Sequence, residues 1–138
     1  MSKISISFDI GGVLSKYPDI LRPIVAALLA SADVEVHVLS DMCPHEKCVA
    51  WVHQNGFPVP AAQIHSCDYS GLGEECKASK ARELGLDVLV DDHPGYVATI
   101  GAPALRLFTM PDPTRPYYHD DWTTDGSEGD FGRRRKKD

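Results

Sequence analysis

ISISFDIGGVLS, residues 4–15, reads as a strand that ends in Asp9 and turns through two adjacent glycines, Gly11 and Gly12. Burying a carboxylate at the end of an apolar strand raises its pKa and costs stability, so a positive group should lie beside it. Two further strands also end on polar groups. VEVHVL (34–39) runs into Ser40, and DVLVD (87–91) ends on Asp91 with Asp92 following. The VLV of the latter is continuously apolar, as a strand covered on both faces should be, whereas VEVHVL alternates more than such a strand should. A fourth strand, ALRLF, is expected over 104–108.

Segments of helical character separate these strands. PDILRPIVAALLASA (18–32) carries Ile20, Ile24, Leu28 and Ala32 at helical spacing, with Pro23 expected near its first turn. PHEKCVAWVHQNGF (44–57) starts with Pro44 and stops at Asn55 and Gly56. GEECKASKARELGL (73–86) closes on Gly85, a C-cap residue. The alternation predicts a single α/β domain with a central parallel sheet over residues 1–110. Residues 111–138 are rich in Pro, Gly, Asp and Thr without apolar periodicity. They read as a surface segment that becomes disordered toward its basic end, RRRKK (133–137), with Tyr117, Tyr118 and Trp122 pinning its first part.

The 138 residues suffice for one domain with a self-sustaining core. A net charge of −6 argues against general nucleic-acid binding and leaves RRRKK as a local basic patch that a nucleic acid could use. The N-terminus alternates serine with apolar residues, unlike a signal peptide, and no run is long enough to span a bilayer, so a cytoplasmic location without a membrane partner is expected. Cys43, Cys48, Cys67 and Cys76 form no CxxC and are expected as reduced thiols. Together with His45, His53 and His65 they raise the question of zinc. Their spacings match no standard ligand pattern, and they are read as ordinary packed or half-exposed side chains.

Open α/β sheets carry their sites at the carboxyl ends of strands, where the strand order reverses. A turn or a helix start would explain Asp9, Ser40 or the Asp91–Asp92 pair singly, but three polar strand ends together point to a site. A hard divalent cation such as Mg2+ would relieve repulsion among the carboxylates and leave room for a substrate phosphate. The glycines would let the backbone turn tightly and bring the Gly11 carbonyl near the metal. Ser40 could donate to a phosphate oxygen, and a lysine from the helix before the third strand could neutralise another.

These stretches carry a resemblance. FDIGGVLS resembles the first motif of the haloacid dehalogenase-like (HAD) superfamily, a strand followed by Asp-x-Asp-x-(Thr or Val). VHVLSD resembles its second, and KASKARELGLDVLVDDHP its third and fourth, over residues 4–108 in all. The resemblance implies a three-layer Rossmann-like fold and a phosphohydrolase. In it Asp9 is the nucleophile and a Mg2+ ligand, and the Gly11 carbonyl completes the coordination, with Gly12 in the same phosphate-binding turn. Ser40 holds the phosphoryl group, and Lys77, with Lys80 as the alternative, balances the charge. Asp91 is the remaining metal ligand, with Asp92 as the alternative. DDHP also resembles a stretch of the nucleotidase and nucleic-acid phosphatase branches, a hint toward nucleotide-like substrates.

Gly11 departs from the family pattern. The residue two after the nucleophile is ordinarily an Asp that protonates the leaving group and activates water, and losing such a group lowers rates by on the order of 10² to 10⁴. His93 and His119 are the available substitutes, though each also reads as a loop histidine. No stretch is long enough for a cap domain, and 56–76 reads as loop, so an open site is expected, suited to a phosphate presented on something large. Three readings follow: a phosphatase using another group or a good leaving group, a different reaction of the HAD type, or a binding or regulatory protein that kept the pocket and lost turnover.

Overall fold

β1 spans Ile4–Phe8, and its start is fixed by a reciprocal contact. The Ser5 N–H donates to Asp87 Oδ2 at 2.9 Å, and the Asp87 N–H returns a bond to the Ser5 carbonyl at 2.8 Å. The structure, a computed structural model, describes residues 3–73, 75–92 and 106–109. His93, His119, Tyr117, Tyr118, Trp122 and the RRRKK tail lie outside the described residues, as does the beginning of the fourth expected strand. Helix α1 (Pro18–Leu29) follows, then β2 (Val34–Ser40), α2 (His45–Gln54), β3 (Ile64–Ser66), α3 (Tyr69–Leu72), α4 (Glu75–Leu84), β4 (Val88–Asp91) and β5 (Arg106–Thr109).

The five strands form one parallel sheet in the order β3-β2-β1-β4-β5. The chain builds outward from β1 through β2 to β3, then crosses to β4 on the other side of β1. The strand order therefore reverses between β1 and β4, and Asp9 directly follows β1 while β4 ends in Asp91. Pleating sends alternate residues to opposite faces. Phe8, Val36 and Val38 join Leu21 and Val25 of α1 and Cys48 and Val52 of α2 in one apolar cluster. Leu39 and Leu89 join Cys76, Ala78 and Ala81 of α4 in another.

Helix α1 differs from its sequence reading. Its buried residues are Leu21 and Val25, while Ile20 and Ile24 are 58% and 45% exposed, so the stripe facing the core lies one residue along from the one expected. Pro18, not Pro23, occupies the first turn, where a missing N–H removes no helix bond. Pro23 falls in the second turn on an exposed position.

The stretch read as loop contains β3, whose three residues (IHS) are too few to show a period. Its His65 also explains the polar positions of β2. His37, 6% exposed, places Nε2 2.8 Å from Glu35 Oε1 and Nδ1 2.9 Å from His65 Nε2. A carboxylate only accepts, so His37 Nε2–H donates to Glu35, and His37 Nδ1 and His65 Nε2 share the second hydrogen bond. Burial, followed by the neighbouring His37, Lys80 and His45, pulls the His65 pKa from 6.5 to about 4, which keeps that imidazole neutral at physiological pH. The alternation in VEVHVL thus reflects a satisfied polar chain on a strand that is buried from Val36 to its end at Ser40.

Ser7, in register with His37 and Leu89, is fully buried, and among the described residues its Oγ has no hydrogen-bond partner. An unsatisfied buried hydroxyl costs about 1–3 kcal/mol. Ser7→Ala is therefore expected to raise the thermal midpoint by roughly 3–10 °C in a melting experiment, and a lowered midpoint would show that the hydroxyl has a stabilising partner.

Candidate functional site

Asp9 closes β1, and its backbone N–H donates to the Val90 carbonyl at 2.9 Å, which ties it to the end of β4. Beyond it the chain makes a wide turn closed by the Leu14 N–H to the Asp9 carbonyl (3.2 Å) and the Ser15 N–H to the Ile10 carbonyl (2.9 Å). Gly12 sits in this turn at φ +76°, where a Cβ would come within 2.0 Å of Asp92 Oδ2. Only glycine lets the turn lie against that carboxylate. Gly11 is different: it is exposed, has φ −66° and ψ 126°, and a Cβ there would meet nothing within 4 Å.

From the neighbouring helix, Lys77 reaches under the strand ends. α4 stops at Gly85 (φ +66°), where the Leu86 N–H bonds back to the Ala81 carbonyl at 3.0 Å and the chain turns into β4. Lys77 is fully buried, with Nζ 2.8 Å from Asp9 Oδ1 and 2.5 Å from Asp91 Oδ2. Carboxylate oxygens of Asp9, Asp91 and Asp92 lie within 4.8 Å of one another. Lys77 takes the position beside Asp9 that was open between two lysines. Lys80, one turn on, pairs instead with Glu83 at 3.3 Å.

Among the described residues, the Lys77 ammonium is shared by Asp9 and Asp91, Asp92 brings a third buried carboxylate within 4.8 Å, and Asp41 adds its field. Burial, then the Asp91 charge, pushes the Asp9 carboxyl well above the usual carboxylate range, against the pull of Lys77. Burial works against the Lys77 ammonium, but Asp9, Asp91 and Asp41 outweigh it and hold its pKa above the ordinary value. The cluster gathers hard oxygen donors, the donor type that Mg2+ takes.

Ser40 closes β2 on the adjacent strand, 2% exposed, where its Oγ accepts from the Met42 N–H at 3.0 Å and its carbonyl accepts from the Cys67 N–H at 2.9 Å. The structure thus joins Asp9, Lys77, Asp91, Asp92 and Gly12 by direct proximity and sets Ser40 on the next strand end. The centre is less open than expected: Asp9 is 5% exposed, Asp92 2%, and Lys77 and Asp91 0%. An open cavity of about 350 Å³ lies at β3, lined by His45, Ile64, His65, Ser66 and Lys80 among others. Sequence reading missed it because β3 itself was hidden. The other thiols and imidazoles have local partners: the Cys48 thiol donates to the Met42 carbonyl at 3.0 Å, and His45 and His53 Nε2 donate to the Ile64 and Val59 carbonyls at 2.7 Å.

Among the described residues no helix is long and apolar enough to cross a membrane. No family model, no curated protein and no solved structure matches the chain.

Proposed function

We propose that the chain is a HAD-like, Mg2+-dependent phosphohydrolase with a three-layer Rossmann-like fold and no cap domain, acting through an aspartyl-phosphate on Asp9. The observation that carries this reading is the buried Lys77 ammonium held between Asp9 and Asp91 where the strand order reverses, with Asp92 as a third carboxylate. Three buried carboxylates gathered within 4.8 Å repel one another, and a bound divalent cation would relieve that repulsion.

Asp9 attacks phosphorus, the ester oxygen leaves, and water then hydrolyses the acyl phosphate to regenerate Asp9. Ser40 orients the phosphoryl oxygens, and Lys77 offsets the charge of Asp9 and of the phosphoryl group. A bound Mg2+, held by Asp9, the Gly11 carbonyl and Asp91 or Asp92, would neutralise developing charge on the phosphoryl oxygens. Gly11 supplies no proton, so the leaving oxygen departs as an anion or takes a proton from water. Turnover is accordingly slow except with good leaving groups, and the substrate is an accessible phosphomonoester such as a nucleotide or a nucleic-acid end. The cavity beside His65 and Lys80 is a recess in which the remainder of a large substrate could rest.

Gly11 also favours a second reading, a binding or regulatory protein that retains the pocket without turnover. Hydrolysis of an aryl phosphate separates the two. The first reading expects phosphate release that requires Mg2+ and stops on chelation. Calorimetric binding of Mg2+ or phosphate with no turnover on nucleotides, sugar phosphates or phosphorylated nucleic-acid ends would leave only the second.

A further inference from the structure

Away from the carboxylates, two buried thiols lie almost within bonding distance. Cys67, just after β3, is 8% exposed, and Cys76, in the first turn of α4, is 1% exposed. The Cys67 thiol donates to Cys76 Sγ at 2.8 Å. A disulfide bond measures about 2.05 Å, so closing the gap needs a movement of only ~0.8 Å shared between two side chains. Both sulfurs belong to the apolar cluster between α4 and the sheet, which holds them in place.

We propose that Cys67 and Cys76 are an oxidative modification site, a pair that closes to a disulfide under a small peroxide. Cys67, the more exposed thiol, takes one peroxide oxygen to give a sulfenic acid and releases one water. The Cys76 sulfur then displaces that oxygen as a second water. Two thiols and one hydrogen peroxide become one disulfide and two waters, with two electrons passing from sulfur to the peroxide oxygens. Because the two sulfurs already touch, the second step competes well with further oxidation of the sulfenic acid. The hydrogen bond to the Cys76 thiol, followed by burial, disfavours the Cys67 thiolate, so the first step is slow and requires sustained exposure to the oxidant.

The position of the pair gives the bond a structural consequence. The Cys67 N–H is bonded to the Ser40 carbonyl at 2.9 Å, and Cys76 directly precedes Lys77. The disulfide would link the segment that holds the end of β2 to the helix that delivers the buried lysine.

The test is peptide mapping of the full chain after prolonged hydrogen peroxide treatment, with remaining thiols alkylated in denaturant and no reductant present. The expected product is a Cys67–Cys76 cross-linked peptide, two hydrogens lighter than the sum of its parts, with Cys43 and Cys48 not cross-linked to either. Melting before and after oxidation should show a rise of roughly 5–10 °C, as expected for closing a loop of this length. Cys43→Ser should retain the cross-link, since exposed Cys43, whose thiol bonds the Cys67 carbonyl at 3.4 Å, is not one of the partners. Separately alkylated or sulfinylated Cys67 and Cys76, or a cross-link that disappears in Cys43→Ser, would overturn the assignment. The wild-type map decides this without any buried variant having to fold.

Discussion

Asp9→Asn is expected to abolish Mg2+-dependent phosphate release, by on the order of 10⁴ to 10⁶ as for other lost nucleophiles, while the protein stays folded. The two parts of this expectation separate a nucleophile from a structural carboxylate. The amide cannot attack phosphorus, and it offers a cation one hard oxygen fewer. It also removes one of three carboxylates crowded within 4.8 Å of one another, while Lys77 keeps its contact with Asp91. The metal-free variant should therefore melt at or above the wild-type temperature, since burial and Asp91 already penalise the charged form of Asp9. If Asp9 existed only to pair with Lys77, the substitution would instead lower the midpoint sharply, as breaking a buried pair does, and a phosphatase activity would not depend on it.

Gly11→Asp is expected to raise turnover on alkyl phosphates by on the order of 10² to 10⁴. The backbone at Gly11 is in a region open to any L-residue, and a Cβ there meets nothing within 4 Å, so the new side chain enters without strain. Its carboxyl would supply the proton that an alkoxide leaving group needs. Aryl phosphates, whose leaving oxygen departs readily as an anion, should gain little, and that contrast is the signature of an added general acid. Equal change with both substrate types, or none with either, would mean that proton supply does not limit the reaction. The adjacent position gives no such freedom, because a Cβ at Gly12 collides with Asp92.

Much of this arrangement was legible in the chain because strand ends carry their own punctuation. Ile4–Phe8 and Val88–Asp91 are short apolar runs that stop on carboxylates, and the alternation of strand and helix leaves few ways to place them other than a parallel sheet. The choice of Lys77 over Lys80 was not legible. Both lie on α4, and only the packing of Cys76, Ala78 and Ala81 against the sheet fixes which one turns under β1. The α1 face was misread because Ile20, Leu21, Ile24 and Val25 offer two apolar stripes one residue apart, so periodicity alone does not select the buried one. β3 escaped because a three-residue edge strand with one aliphatic residue has no pattern to detect, and its loss also hid the Glu35–His37–His65 chain and the cavity beside it. Proximity of Cys67 and Cys76 was hidden for the same reason, since it depends on where β3 ends.

The central claim is that Asp9 is a working nucleophile within a Mg2+ and phosphate site. A crystal structure of the protein with Mg2+ and fluoroberyllate tests it most directly. The expected result is beryllium bonded to an Asp9 carboxylate oxygen, with Mg2+ contacting Asp9, the Gly11 carbonyl and Asp91 or Asp92. A structure with neither ion bound at Asp9, obtained at saturating concentrations of both, would contradict it.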